Sequence, residues 1–134
     1  MSLTRDEIFK SDDIKRECVN IPEWGGDVWV KGLTAQEQDA YDLSNYELDE
    51  NGNHDFTKPI LKNVTAKMVV MIVCNDKGER IFKDDDADTL GRKSVKALNT
   101  IYKIAQRLNG TSKDAVQVAV KNSKSAPAED LPSV

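Results

Sequence analysis

Residues 21–38 read Ile21-Pro22-Glu23-Trp24-Gly25-Gly26-Asp27-Val28-Trp29-Val30-Lys31-Gly32-Leu33-Thr34-Ala35-Gln36-Glu37-Gln38, and the backbone demands of this stretch decide the fold. Pro22 fixes one φ and Gly25-Gly26 tolerates positive φ, so Pro22 to Gly26 is predicted to be a tight turn. Asp27 to Lys31 then alternates: Val28 and Val30 share one face and Trp29 takes the other, as in a half-buried strand. Upstream, Ile14 to Ile21 alternates imperfectly. Ile14, Arg16, Cys18 and Asn20 fall on one side, and Lys15, Glu17, Val19 and Ile21 on the other. It reads as the partner strand, with its core face open and a bulge as a means of switching it. Downstream the period changes. Thr34 and Glu37 have the spacing of a capping box, which predicts a helix to about Leu48 with Ala40, Tyr41 and Leu48 inward. Both tryptophans of the chain lie in this segment. Trp29, mid-strand, reads as a core residue; Trp24, at the turn, suits core and partner contact equally.

Working outward, Thr4 and Glu7 repeat the capping-box spacing, so residues 1–13 form an arm or short helix. Asp49 to Asp55 reads as a polar loop with an Asn-Gly turn. Pro59 is placed in the first turn of a second helix. Ile60, Leu61, Val64, Met68, Val69, Met71, Ile72 and Val73 give that helix a broad apolar face, which predicts the most buried helix. Its β-branched end, Val69 to Val73, fits a strand equally well. Ile81-Phe82 is a brief extended segment. The run Asp84-Asp85-Asp86-Ala87-Asp88-Thr89-Leu90-Gly91 has acidic residues where a helix N-terminus favours them, and Gly91 suits a helix stop. Ser94 caps the next helix, whose stripe is Val95, Leu98, Ile101, Tyr102, Ala105 and Leu108, ending at Asn109-Gly110. A last short helix is predicted from Thr111 to about Val120. Residues 122–134, rich in Ser, Ala and Pro, are predicted to be a disordered tail. The expected fold class is α+β: a small antiparallel hairpin or sheet against four or five helices, with residues 14–121 as one domain.

The chain has 134 residues, 39% of them hydrophobic and 31% charged, with a formal net charge of −4. A chain this long buries roughly two-thirds of its unfolded surface without staples. The acidic balance argues against a general nucleic-acid binder, which needs a basic footprint. The opening residues are polar and charged, so no signal peptide is expected. The longest apolar run, Met68 to Cys74, is too short to span a membrane. Cys18 and Cys74 match no metal or redox spacing, and read as two reduced, partly buried thiols. One charge asymmetry stands out: from Arg92 to Lys113 every charge is positive, namely Arg92, Lys93, Lys96, Lys103, Arg107 and Lys113. It reads either as a solvated helix face or as a basic face for an acidic partner segment.

No constellation for chemistry emerges. His54 is the sole histidine, which excludes His-based zinc sites within one chain. A calcium loop starting at Asp84 would need Gly at Thr89 and Glu at Val95, and fails at both. His54 beside Asp55 reads as a solvent-facing loop residue and not as part of a triad. Gly25-Gly26 lacks the Lys-Ser/Thr of a phosphate loop. The expectation is a non-enzyme without catalytic residue, metal or cofactor.

The ordered pieces resemble the tail assembly chaperones of long-tailed bacteriophages and prophages. The hairpin Ile21 to Gly26 with Val28-Trp29-Val30, followed by Leu33-Thr34-Ala35-Gln36-Glu37, looks like that family's opening. Met71 to Phe82 is similar to its apolar run, acidic-Gly turn and terminal Phe. Asp84 to Gly91 resembles its acidic short helix, and Val120-Lys121-Asn122-Ser123 its closing Lys-Asn-Ser. The resemblance covers about residues 14–123. It departs from the pattern in the longer polar loop at 49–58 and in Cys74, where an aliphatic residue is ordinary. What it implies is a non-enzymatic protein of the bacterial host cytoplasm, absent from the mature virion. Such a protein coats the apolar tape-measure protein and brings major tail (tube) protein subunits to it. Self-association into a homo-oligomer suits a coating role; neither nucleic acid nor membrane is an expected partner. Trp24, Trp29, Arg92, Lys96, Lys103 and Arg107 are the candidate partner-binding residues. The competing readings are a structural tail or head-tail completion component kept in the virion, and a nucleic-acid module using Arg92 to Lys113.

Overall fold

The computed structural model describes residues 1–111. The predicted helix from Thr111 and the tail from Asn122 lie outside the described residues. Helix α1 (Arg5–Lys10) precedes a hairpin of β1 (Arg16–Ile21) and β2 (Gly26–Lys31). Helix α2 (Ala35–Ser44), a second hairpin β3 (Tyr46–Leu48) and β4 (His54–Pro59), and α3 (Val64–Ile72) follow. β5 (Val73–Cys74), α4 (Ala87–Leu90) and α5 (Val95–Leu108) complete the described chain. The strands form a three-stranded antiparallel sheet in the order β1-β2-β5 and a separate two-stranded ribbon β3-β4. This is the α+β class expected from the sequence.

The first hairpin forms where the turn residues require it. Pro22–Trp24 make one turn of 3-10 helix, closed by Gly25 at φ +73°, a conformation that costs glycine little. The register then runs unbroken from Ile21↔Gly26 to Arg16↔Lys31. No bulge switches the faces: Val19, Ile21, Val28 and Val30 all lie against the core. The helix of the predicted capping box is real as well. Thr34 Oγ1 accepts from Glu37 N at 3.1 Å, and Glu37 Oε1 accepts from Thr34 N at 2.9 Å.

Several expectations fail in one region. α2 does not reach Leu48; it stops at Ser44 with Asn45 as C-cap. The predicted polar loop is instead the turn of a hairpin. The Asp49 carboxylate accepts from Asn51 N (2.9 Å) and Asn53 N (3.0 Å), and Gly52 takes φ +81°. Tyr46 to Leu48, freed from the helix, pairs with His54 to Pro59. Pro59 therefore ends a strand of a two-stranded ribbon, where its missing N–H is tolerated. α3 starts later, at Val64. Ala40, Leu48 and Leu61 are exposed, and of the three α2 residues expected inward only Tyr41 is buried. Its hydroxyl donates to Val64 O at 2.9 Å. His54, expected in a solvent-facing loop, is half-buried in β4.

The core lies between the sheet and the helices α3 and α5. Ala66, Met68, Val69, Val70 and Ile72 of α3 are buried, as are Ala97, Leu98, Ile101 and Ala105 of α5. Both readings of Val69–Val73 hold in part: the helix runs to Ile72, then Val73 and Cys74 pair with Val30 and Trp29. Val95, expected on the α5 stripe, is 73% exposed. At about 100° per residue it falls well to the side of the Ala97–Leu98–Ile101–Ala105 stripe. Gly91 does follow α4, but for another reason than a positive φ: its φ is −62°. A Cβ there would collide with the Asn63 side chain and press on Asp88 O at 3.3 Å, so glycine lets α4 approach the start of α3 without displacing Asn63. At the far end of α5, Asn109 Oδ1 accepts from Leu33 N at 2.7 Å. Asp13, Ile14, Gly32, Leu33, Asn109 and Thr111 surround one cleft there.

Glu37 links this geometry to pH. Burial alone raises its pKa, but the Thr34 N–H, the Lys31 ammonium 3.4 Å away and the Thr34 hydroxyl outweigh it. The carboxyl is held below its usual 4.5. A folded pKa below the unfolded one gives stability that is present above the usual value and lost as pH falls through the folded value. Thr34→Ala should cost about 1 kcal/mol in urea unfolding at neutral pH. The deficit of Glu37→Gln relative to the natural chain should shrink as the pH is taken below 4.5.

Candidate protein-docking surfaces

The register of the sheet sorts the two tryptophans. Trp24, half-buried in the turn, packs against the core. Trp29 does not: it lies between Val28 and Val30 and so projects from the opposite face. The reading of Trp29 as core is corrected, because α3 and α5 pack on the other side of the sheet and leave Trp29 half-buried outside the core cluster. On that outer face Trp29 is flanked by Cys18 on β1 and Cys74 on β5, its cross-strand partners. Cys18 is exposed and Cys74 buried, so the expectation of two partly buried thiols holds for neither. Burial pushes the Cys74 thiol up, against the opposing pull of the Lys31 and Arg16 charges.

The basic row is brought onto one side of α5 only in part. Lys96, Lys103 and Arg107 recur at seven and four residues, within one helical stripe. Arg92 lies before the helix, in the turn after α4. Acidic groups of the same chain answer much of this charge. Arg107 pairs with Glu17 on β1. Lys96 lies 3.9 Å from Glu23 in the hairpin turn, and Arg92 lies 3.2 Å from Asp88. The aspartate run is similarly occupied. Asp86 Oδ2 accepts from Lys83 N at 2.8 Å, Asp84 pairs with Arg80 at 2.8 Å, and Asp88 also faces Lys62 at 3.5 Å. Its Asn63 hydrogen bond, followed by the charges of Lys62 and Arg92, holds the Asp88 carboxyl below its ordinary range. Among the described residues no group of three His, Cys, Asp or Glu side chains could hold a metal ion.

What the surface does offer is apolar. On the β3-β4 ribbon the Tyr46 and Phe56 rings meet edge-on, centroids 5.1 Å apart, with Phe56 65% and Leu48 60% exposed. Beside the hairpin turn, Trp24, Phe82 and Leu90 line a cavity of about 430 Å³ rimmed by Asp86, Thr89 and Lys93. Sequence reasoning named Trp24 but missed Phe56, Leu48, Phe82 and Leu90. An Asn-Gly turn between Tyr46-Glu47-Leu48 and Phe56-Thr57 is itself a hairpin signal, and would have located the ribbon. Phe82 and Leu90, far apart from Trp24 in sequence, gave no such sign.

The chain belongs to the phage tail assembly chaperone family: the family profile described as "Phage tail assembly chaperone" matches residues 5–121. The match takes in every described element from α1 to α5. Neither the search of curated proteins nor the search of solved structures finds a match. No helix among the described residues is long and apolar enough to cross a membrane.

The exposure of the thiols gives a direct check on the sheet's register. In the native chain iodoacetamide should label Cys18 and leave Cys74 unmodified until denaturant is added, as read by peptide mass spectrometry. Equal labelling of both in the folded chain would contradict the placement of Cys74.

Proposed function

We propose that this chain is a non-enzymatic chaperone that binds the tape-measure protein and helps recruit tail-tube subunits to it. It acts in the cytoplasm of the bacterial host and does not remain in the mature virion. Membership of the family supports an assembly role. The observation that carries the docking mode is the exposed apolar ribbon: Leu48 and Phe56 project on a hairpin outside the main sheet. A long helical target with apolar stripes is complementary to such a surface. Each contact is small, so one copy binds weakly, and many copies along one target supply the avidity. The net charge of −4 keeps the coated target soluble.

Trp29, half-buried on the sheet face turned away from α3 and α5, and Lys103 on α5 belong to the proposed contact surface. Trp24 contributes through the groove that it lines. Arg92, Lys96 and Arg107 join it as ion-paired residues whose acidic partners an acidic target segment would replace. The same pairing argues against the nucleic-acid reading, because charges already answered by Asp88, Glu23 and Glu17 release few counterions.

Co-expressed with its tape-measure protein, the chain should raise that protein's solubility and co-purify with it. Leu48→Asp/Phe56→Asp should cut the recovered complex about tenfold or more and leave the circular dichroism of the chaperone unchanged. Failure of the natural chain to co-purify at low salt without detergent would remove the proposal. Stoichiometric presence in purified virions, read by mass spectrometry, would favour the retained tail or head-tail component instead.

A further inference from the structure

Glycine follows asparagine at two places in the chain, Asn51-Gly52 and Asn109-Gly110. At such a pair the backbone nitrogen of the glycine reaches the carboxamide carbon of the asparagine most easily, because the second residue has no side chain in the way. The two pairs have opposite surroundings. Asn51 and Gly52 are exposed at the tip of the β3-β4 ribbon, and nothing lies within 4 Å of where a Cβ on Gly52 would sit. Asn51 is held through its backbone N–H, which donates to Asp49 Oδ1 at 2.9 Å, and its carboxamide has no hydrogen-bond partner among the described residues. Gly52 N donates to Asp49 O at 3.1 Å, an exposed turn bond of the kind that opens at little cost. Asn109 is half-buried at the end of α5, with Oδ1 accepting from Leu33 N at 2.7 Å and its N–H donating to Ala105 O at 2.8 Å. Swinging that carboxamide toward Gly110 N breaks the Leu33 bond and leaves a part-buried N–H without its acceptor.

We infer that Asn51 is a modification site, at which the folded chain deamidates without an enzyme while Asn109 is protected. Gly52 N gives its proton to solvent base and attacks Asn51 Cγ. The N–Cγ bond forms, the Cγ–NH2 bond breaks, and ammonia leaves with a proton taken back from solvent. Water then opens the resulting succinimide. Cleavage of the N–Cγ bond gives aspartate at position 51. Cleavage between the same nitrogen and the main-chain carbonyl carbon gives isoaspartate, whose backbone runs through Cβ and Cγ. Water is consumed, ammonia is released, nothing is oxidised or reduced, and a carboxylate replaces a neutral amide.

Either product adds a negative charge to a turn that already holds Asp49 and Glu50. The isoaspartyl product also lengthens the main chain by one methylene inside the loop that Asp49 closes. Asp49 N donates to Asn53 O at 2.7 Å, and Asp49 Oδ1 accepts from Asn53 N at 3.0 Å. Leu48 and His54 pair immediately beyond. The longer loop no longer fits these bonds, so conversion loosens the end of the ribbon on which Leu48 and Phe56 are exposed. The reaction needs only water, and it proceeds whether or not that ribbon binds the tape-measure protein.

Peptide mass spectrometry of the purified full chain, aged at mildly alkaline pH, should find Asn51 converted about tenfold faster than Asn109, with isoaspartate among the products. In urea, which removes the Leu33 clasp, the two rates should converge. Asn109 converting as fast as Asn51 in the folded chain overturns the inference, as does an Asn51 that converts only in urea. Aspartate without isoaspartate overturns the succinimide route. For the ribbon, the isoaspartyl form separated by ion exchange is compared with Asn51→Asp, which carries the same charge on an ordinary backbone. Chymotrypsin should cut the isoaspartyl form at Phe56 about tenfold faster, as expected for the loss of one or two turn hydrogen bonds. Equal cleavage overturns the loosening of the ribbon.

Discussion

The rest of the structure depends on one junction: α3 passes into β5 with no residue between them, Ile72 ending the helix and Val73 opening the strand. Among the described residues, four of the seven largest fully buried side chains, Val69, Val70, Ile72 and Val73, flank that junction. Burying each contributes about 1.5–3 kcal/mol. Because helix and strand share a continuous backbone, the rotation of α3 and the register of β5 cannot be chosen independently. A one-residue slip would send Val73 outward and Cys74 inward, and would mismatch Val30 and Trp29 at the same time. α5 packs on α3 on one side, the hairpin pairs with β5 on the other, and no polar or charged side chain among the described residues is buried in between.

The elements that were legible in the sequence are those whose signal is local. Pro22 and Gly25 wrote the first turn. The Thr-x-x-Glu spacing wrote the starts of α1 and α2, and the period of three and four wrote α5. The β3-β4 ribbon was not read because α2 and the following strand compete for the same residues. Tyr46 to Leu48 would extend a helix as readily as a strand until Asp49 ties the backbone into a turn. Gly91 reads in the sequence as a helix stop, whereas the neighbour it makes room for, Asn63, is 28 positions away, and no local window along the chain contains both. The candidate docking surfaces divide in the same way. Trp24 stood out by composition, but the groove needs Phe82 and Leu90, which only the packing of α4 beside the hairpin turn brings together.

The basic row acquires a second meaning in three dimensions. Exposed ion pairs contribute little stability each, but the pairs of Arg107 with Glu17 and Lys96 with Glu23 connect α5 to opposite ends of the first hairpin. Charges that would attract phosphate on a bare helix are answered here in large part by carboxylates of the same chain.

One detail of the fold gives the molecule a polarity. Asn109 fastens the end of α5 to Leu33, beside Asp13 and Ile14, so the arm and the polypeptide beyond Thr111 depart from a common pole. The closed end of the hairpin, with Trp24, lies at the opposite end of the strands. A tag placed before α1 therefore joins β1 beside the Asn109–Leu33 clasp, a strand's length from the Trp24 tip.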